Sequence, residues 1–224
     1  MKIKINNKEI FPIMGSQYSL NDFGPVDMSH DHLKVLGINN DNFLSDYLER
    51  CRQDQNVVWL TGGYLERRSL YLSSLFIADM EQPRDIHLGV DIWGWAGTPV
   101  YAPVNGTIHS YANNNRDLDY GYTLILEHVH FGKSFYTLYG HLGSTHFDDW
   151  EEGKNIYAGD LIAELGSKAE NGGWIPHLHF QVILDMEQYR GDYPGVCSQA
   201  DLQHYYDNCP DPNLLIKKAP NHDD

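Results

Sequence analysis

The chain has 224 residues, of which 42% are hydrophobic, enough for one domain of ordinary size with a buried core and an elaborated extension. Its formal net charge of −15 argues against nucleic acids and anionic membranes as partners, because both are bound through clustered lysine and arginine side chains. No apolar stretch approaches the roughly 18 residues of a membrane-spanning helix, so membrane insertion is not expected.

The three cysteines, Cys51, Cys197 and Cys209, are too few and too scattered for a disulfide framework. We expect reduced thiols, with a Cys197–Cys209 pair as the alternative in an exported protein. The first twenty residues lack the apolar core of a signal peptide, which predicts a cytoplasmic location, although export by another route stays open.

Residues 1–80 have a mixed pattern. The segment IKINNKEIFPI (3–13) is strand-like, and a Gly/Asp/Ser-rich stretch follows it through Asp31. A helix is predicted over NFLSDYLERCRQ (42–53), with Asn40 or Asp41 as its cap. Its apolar side chains fall on one stripe, typical of a packing helix: Phe43, Leu44, Tyr47, Leu48 and Cys51.

Beyond Asp85 the pattern changes to short β-rich runs separated by turn residues, which predicts antiparallel sheet. Asn105-Gly106 is a strong hairpin signal, and Phe131-Gly132-Lys133 separates two further strands. DLIAELG (160–166) and HLHFQVILD (177–185) also read as strands. Pro99 and Pro103 suit strand starts or edges.

Three His-x-His pairs occur, and in a strand two such imidazoles point to the same face. The pairs are His30/His32, His128/His130 and His177/His179. The first lies in a polar segment, SHDHLK, where a helix entry or loop on the solvated surface is expected. The second ends a strand at a turn and is interpreted as an exposed edge.

The third pair differs from the other two because it follows a Gly-Gly-Trp-Ile-Pro loop and opens an apolar strand, a good place for a site. His87 and Asp91 add an imidazole and a carboxylate four residues apart, with Gly89 between them allowing a backbone turn or a close approach by another chain segment. Two histidines and one carboxylate are a recurrent ligand set for catalytic zinc, which leaves its fourth position to water.

The ordered set His87-x-x-x-Asp91, then His141 in YGHL, then His177-x-His179-Phe180, resembles the motif of the lysostaphin/LytM-type peptidases, family M23. The segments GVDIWGWAGTPVYAPVNGTI and GDLIAELG are similar to those of that family, and the resemblance covers roughly residues 85–185. All five motif positions are present, unlike in degenerate relatives that act only as activators. GGYLERRSLY, GDYPGVC and CPDPNLLI resemble a branch found alone or fused to aminotransferase and kinase domains.

The resemblance implies one zinc ion held by His87, Asp91 and His179. His141 and His177 would stand beside the metal as proton-transfer groups, and which of them is the base stays open. It also implies a mainly β fold, with an antiparallel sandwich or barrel-like catalytic core at 81–190. We expect a mixed α/β extension at 1–80 that packs on this core, and a C-terminal extension at 191–224.

Other residues near the motif have two interpretations each. Trp93, Trp95 and Trp174 suit either the aromatic walls of a substrate groove or packing, and Asn171 suits either a substrate contact or a plain loop. Arg67 and Arg68, with Glu66, suit a salt-linked surface, or cover for the N-terminal side of the barrel, better than a substrate carboxylate site.

The predicted function is zinc-dependent hydrolysis of amide bonds, in peptidoglycan-like short peptides that contain glycine or D-alanine. One alternative is a cytoplasmic hydrolase of a small peptide or amide metabolite, and another is a non-catalytic binding module on the same scaffold. Residues 1–80 could occlude the groove as a self-inhibitory segment. The oligomeric state is left open.

Overall fold

A computed structural model describes residues 10–38, 40–68 and 83–216. Its helices are α1 (His30–Val35), α2 (Asp41–Gln55) and α3 (Leu202–Asn208). Its strands are β1 (Phe23–Pro25), β2 (Trp59–Gly62), β3 (Arg84–His87), β4 (Val90–Trp93), β5 (Pro99–Tyr101), β6 (Gly106–Asn114), β7 (Gly121–His130), β8 (Lys133–Leu142), β9 (Asn155–Ile156), β10 (Leu161–Glu164), β11 (His177–Ile183) and β12 (Val196–Ser198). Short 3-10 turns span Leu20–Asp22, Phe147–Asp149 and Pro212–Leu215.

The main sheet has the strand order β1-β2-β4-β11-β8-β7-β6-β9 in the described part of the chain. Its pairs are antiparallel apart from β1–β2, which is parallel. Two ribbons, β10–β5 and β12–β3, lie outside it. The mainly β, antiparallel class predicted from the sequence is therefore confirmed.

The largest hydrophobic core lies between the main sheet and the β10–β5 ribbon. Leu124 and Phe180 of the sheet pack in the same cluster as Val100 and Ile162 of the ribbon. Trp59 of β2 joins this cluster as well, so the N-terminal part of the chain contributes to the same core as the later strands.

The predicted helix is confirmed as α2, and Asn40 caps it by accepting hydrogen bonds from the backbone N–H groups of Asn42 and Phe43. Leu44, Tyr47 and Leu48 are buried, as the stripe predicted, whereas Phe43 is exposed. The strand predicted at 3–13 lies mostly outside the described residues, and its described part, 10–13, is not a strand. None of the described helices combines the length and apolar character needed to cross a bilayer.

One turn prediction is confirmed and another is wrong. Phe131 and Gly132, both with positive φ, form the two-residue loop that joins β7 to β8. Asn105-Gly106 makes no hairpin, because β5 pairs with β10 and β6 pairs with β7 and β9. Gly106 is required for a close approach instead, since a Cβ there would lie 2.6 Å from the Glu127 carbonyl oxygen.

Candidate metal centre and active site

The candidate site lies where three strands bring the motif residues together. Asp91 of β4 is the direct partner of His179 on the neighbouring β11, and His177 is the partner of Trp93 two residues away. His87 ends β3, and the chain turns through Leu88 and Gly89 into β4. A Cβ at Gly89 would lie 2.6 Å from the His179 ring, so the close approach expected at this glycine is confirmed.

Three ligand atoms form a small triangle at this point. His87 Nε2 lies 2.9 Å from His179 Nδ1, and Asp91 Oδ1 lies 3.3 Å and 3.2 Å from these two nitrogens. All three side chains are buried, and Asp91 Oδ1 has no hydrogen-bond partner among the residues that the structure describes. Among the described residues, these three form the group of histidine and acidic side chains that could hold a metal ion.

Both nitrogens of the triangle carry lone pairs rather than protons. His87 Nδ1 lies 2.9 Å from the Gly63 carbonyl oxygen, so Nδ1 holds the proton and Nε2 of the neutral ring has none. His179 Nε2 likewise donates to Gln181 Oε1 at 2.9 Å. The orientation of the Gln181 amide follows from its other end, which donates to the Pro194 carbonyl at 3.1 Å.

Electrostatics keep these groups in the forms that ligate metals. Burial lowers the pKa of His87 to about 4, and the Arg68 charge adds to this effect. Burial by itself would raise the pKa of Asp91, but His87 and Arg68 outweigh it, and the pKa lies well below its usual range. The His87 ring is therefore neutral and the Asp91 carboxylate is ionised near pH 7.

The residues fit a zinc ion. Ligand atoms about 2.0–2.1 Å from tetrahedral zinc lie roughly 3.3 Å apart, and the three edges observed here are close to that value. Two lone pairs and one carboxylate oxygen converge on a single point without a proton among them, an arrangement that a cation stabilises. Neutral imidazole nitrogens with a carboxylate oxygen are a ligand set of catalytic zinc sites.

His141 and His177 stand next to the triangle. Their ring centroids are 4.3 Å apart, and His177 Nε2 lies 3.8 Å from Asp91 Oδ1. Each ring donates its Nδ1 proton to a backbone carbonyl, His141 to Asn171 at 3.0 Å and His177 to Ile175 at 2.7 Å. The Nε2 lone pairs are thus available, and burial lowers the pKa of both imidazoles.

His141 reaches the site through an irregularity in β8. The register of β7 against β8 shifts between Tyr122 and Leu124, opposite Gly140 and His141, and His141 has a left-handed φ of 63°. Such a bulge places an extra residue in one strand and changes the direction in which its side chain points. The sequence identifies His141 as a motif residue, but it does not indicate the bulge that changes the direction of the side chain.

The predicted substrate contacts have different outcomes. Trp93 is buried and stacks on His177 with centroids 5.6 Å apart, and Trp174 is half-buried with its centroid 6.0 Å from His141. Asn171 is wholly buried, and its amide is bonded to the backbone of Gly166 and Trp174. The predicted substrate contact through the Asn171 side chain is wrong, because that side chain stabilises its own loop.

Two further side chains support the ligands and were not identified from the sequence. Gln181, two residues after His179 on the same strand face, fixes the His179 ring. The salt link of Arg68 to Glu66 is confirmed, but the surface alternative is wrong for Arg68, because its side chain is 3% exposed and bonded to Asp91 as well. Arg67 does lie on the surface, with a side chain 56% exposed.

The remaining histidine pairs lie apart from the ligand group. His30 begins α1, as the helix-entry prediction stated, and both His30 and His32 are half-buried. The exposed-edge interpretation is wrong for His128, which is 2% exposed and bonded to Asn105 and Thr137. All three cysteines are free thiols, and Cys197 and Cys209 are buried.

A cavity of about 480 Å³ opens over the ligand group. His87, Asp91, His141, His177 and His179 all line it. Met28 and Leu44 of the N-terminal part also line it, as do Tyr189 and Tyr193 of the C-terminal part. Its size is within the range of pockets that bury small ligands.

Several peptidases are among the known proteins to which this chain is similar. Residues 85–190 match the model of peptidase family M23. A zinc-containing peptidase from Vibrio cholerae is 28% identical, with 44% of this chain and 27% of that chain covered and a TM-score of 0.36. LytU is 26% identical (61% and 83% covered, TM-score 0.35), and the catalytic domain of lysostaphin from Staphylococcus simulans is 21% identical (62% and 98%, 0.37).

The chain spans about a quarter of the Vibrio cholerae peptidase and 26% of Helicobacter pylori Csd3. No curated protein matches the chain. The relationship to the branch with aminotransferase and kinase fusions stays a prediction. Residues 85–190, which bring the motif histidines and aspartate together at one point, are thus similar to peptidase family M23.

Proposed function

We propose that this chain is a zinc-dependent endopeptidase that hydrolyses amide bonds in short peptidoglycan-like peptides containing glycine or D-alanine. One observation carries the proposal. The lone pairs of His87 and His179 and the unbonded Asp91 oxygen converge on one point, and the lone pairs of His141 and His177 stand beside it. A family of metallopeptidases provides the context for this geometry.

The two histidines that do not ligate supply the proton transfers. When bound, zinc supplies positive charge that polarises the scissile carbonyl and makes an adjacent water molecule more acidic. Because burial holds the His141 and His177 rings neutral, either Nε2 can accept the proton of that water. The protonated ring can then hydrogen-bond the developing oxyanion and return the proton to the departing amine nitrogen.

The cavity suits a short peptide segment rather than a folded protein. About 480 Å³ accommodates only a few small residues, and both walls are fixed by buried side chains such as Trp93. Arg84 and Arg116 line it together with Asp119 and Asp192, so charges of both signs are available to a substrate with free termini.

The test is digestion of purified peptidoglycan by the zinc-loaded chain, with products resolved by mass spectrometry and His141→Ala as the matched blank. New peptide ends that are absent from the blank would support the proposal. Intact peptidoglycan, together with cleavage of free glycine- or D-alanine-containing dipeptides, would favour a small peptide or amide as substrate. Zinc binding without any cleavage would favour the binding module.

Location and substrate are linked, because peptidoglycan lies outside the cytoplasmic membrane. The predicted cytoplasmic location stays a prediction, and fractionation of cells with detection of the chain by antibody tests it. Recovery with the envelope would accord with peptidoglycan as substrate, and recovery in the cytosol would accord with a small cytoplasmic peptide or amide.

A further inference from the structure

Residues 63–68, which we call the supporting segment, run alongside the strand that carries the first candidate ligand. The backbone N–H of Leu65 donates to the His87 carbonyl at 2.8 Å, and that of His87 donates to the Glu66 carbonyl at 2.9 Å. The Arg68 N–H donates to the Asp85 carbonyl at 2.8 Å. The segment is thereby fixed to β3, although it lies outside the residues that match the family model.

Arg68 extends from this segment into the metal centre. Its Nη1 donates to Asp91 Oδ2, and its Nε donates to Glu66 Oε2 at 2.7 Å. The guanidinium also lies 5.5 Å from the centroid of the Trp93 ring, within range of a cation–π interaction. A buried cation paired in this way has a fixed position, because its planar fork is held at more than one donor.

The two carboxylate oxygens of Asp91 therefore have different contacts. Oδ2 accepts from Arg68, whereas Oδ1 faces the nitrogens of His87 and His179 and has no hydrogen-bond partner in the described part of the chain. With Oδ2 held by the arginine, Oδ1 is the carboxylate oxygen positioned to ligate the metal. A second carboxylate oxygen on the ion would occupy the position that a catalytic zinc site keeps open.

Gly63 makes the corresponding contact on the other ligand. Its carbonyl accepts the Nδ1 proton of His87 at 2.9 Å, which leaves Nε2 for the metal. A Cβ at this residue would lie 1.9 Å from Arg68 Nη2 and 2.9 Å from His87 Nδ1, and its φ is +105°. Both the conformation and the packing at this position require glycine.

We propose that the supporting segment completes the metal centre, with Arg68 as a positioning residue that holds Asp91 as a one-oxygen ligand and Gly63 as the acceptor that fixes the His87 tautomer. This inference rests on the proposed function, because it assumes that the triangle binds zinc. Outer contacts of this kind orient the ligands and commonly change metal affinity by about 10–100-fold when removed. An M23 domain without this segment would lack both contacts.

The experiment measures the zinc dissociation constant of the full chain by competition with a chromogenic chelator, for wild type, Arg68→Gln, Arg68→Lys and Arg67→Gln. We expect Arg68→Gln to weaken zinc binding about 10–100-fold. Arg68→Lys should also weaken zinc binding, because an ammonium group cannot bond Asp91 and Glu66 together as a planar guanidinium does. The loss should be smaller than in Arg68→Gln, because lysine keeps the positive charge. Arg67→Gln is the matched control, since that neighbouring side chain is exposed and lies 3.7 Å from Asp85, and its affinity should equal that of wild type.

Cobalt substitution separates positioning from a merely structural role. The absorption bands of bound Co²⁺ depend on the ligand geometry, so Arg68→Lys should shift them while Arg67→Gln leaves them unchanged. A structural role alone would lower the melting temperature of the metal-free chain without moving the bands or the affinity. If Arg68→Gln does not fold, the Lys variant still gives both measurements.

Wild-type affinity and an unchanged cobalt spectrum in Arg68→Lys, with wild-type affinity in any folded Arg68→Gln, would overturn the inference while leaving the proposed function standing. A wild-type chain that binds no zinc would overturn the proposed function itself.

Discussion

His128 and the four histidines around the candidate metal centre are all buried, yet only the four face a common point. Both ring nitrogens of His128 are hydrogen-bonded within the protein. Nδ1 lies 2.8 Å from the Asn105 carbonyl oxygen and Nε2 lies 2.7 Å from the Thr137 hydroxyl. At the candidate centre each histidine donates one N–H to the protein and keeps one lone pair. Burial alone therefore does not mark a metal site, whereas leftover lone pairs that converge do.

The same comparison explains why His-x-His spacing is ambiguous. His128 and His177 each begin such a pair in a strand of the main sheet. Of these two pairs, only His177/His179 lies beside β4, which carries Asp91. His87, at the end of β3, contacts that carboxylate. The neighbouring strand, not the pair itself, decides whether a ligand set forms.

The largest expected effect is that of removing a ligand. His87→Ala should abolish tight zinc binding and lower amide hydrolysis by at least about 10³-fold, because a catalytic zinc site depends on three protein ligands. His128→Gln is the matched control and should retain both zinc and activity. Metal content by atomic emission and peptide cleavage assays check this, and equal losses in the two variants would contradict the comparison.

Replacing a histidine beside the triangle should have a somewhat smaller effect on zinc binding and activity than removing a ligand. His141→Ala and His177→Ala should each retain zinc but lower kcat by about 10²–10⁴-fold, since general acid–base groups contribute in this range. Steady-state kinetics with matched metal content measure the effect. Loss of zinc from either variant would show instead that its imidazole is a ligand.

A smaller effect, on zinc affinity, is expected for Gln181, which accepts the hydrogen bond from His179. Gln181→Leu should weaken zinc binding about 10–100-fold, because the His179 ring loses the acceptor that fixes its tautomer. Gln181→Glu keeps that acceptor but loses the donor to Pro194, so its zinc affinity should stay closer to wild type even though its folded state is less stable. Identical affinities for the Leu variant and wild type would exclude this role.

The last expected effect concerns the pH dependence of stability at His128 and leaves zinc binding and activity unchanged. Burial lowers its pKa to about 4, below the ordinary value of about 6.5. The unfolded chain therefore binds the proton more readily, and up to about 3 kcal/mol of the free energy of unfolding is lost as pH falls from about 6.5 towards 4.

His128→Gln should flatten this part of the stability curve relative to wild type. Denaturant titrations of the metal-free chain between pH 4 and 7 give the comparison. If the free energy of unfolding of His128→Gln changes with pH as steeply as that of wild type, groups other than His128 cause the pH dependence.

The sequence by itself determined the motif residues, the helix α2 and the β7–β8 hairpin. These are local signals: ligand types at fixed spacing, an apolar stripe with a capping residue, and a glycine-containing turn between two strand-like runs. A local signal failed where its partner lay far along the chain, as at Asn105-Gly106, whose flanking strands pair with other strands.

Tertiary structure decided how the motif residues are supported. Arg68 precedes Asp91 by 23 residues, and no spacing rule indicates that its guanidinium reaches that carboxylate. The bulge at Gly140 and His141, the Asn171 loop and the contact between Gln181 and Pro194 likewise depend on neighbouring strands and loops. Residue types therefore specify which metal chemistry is available, while packing fixes which nitrogen keeps its lone pair and where that lone pair points.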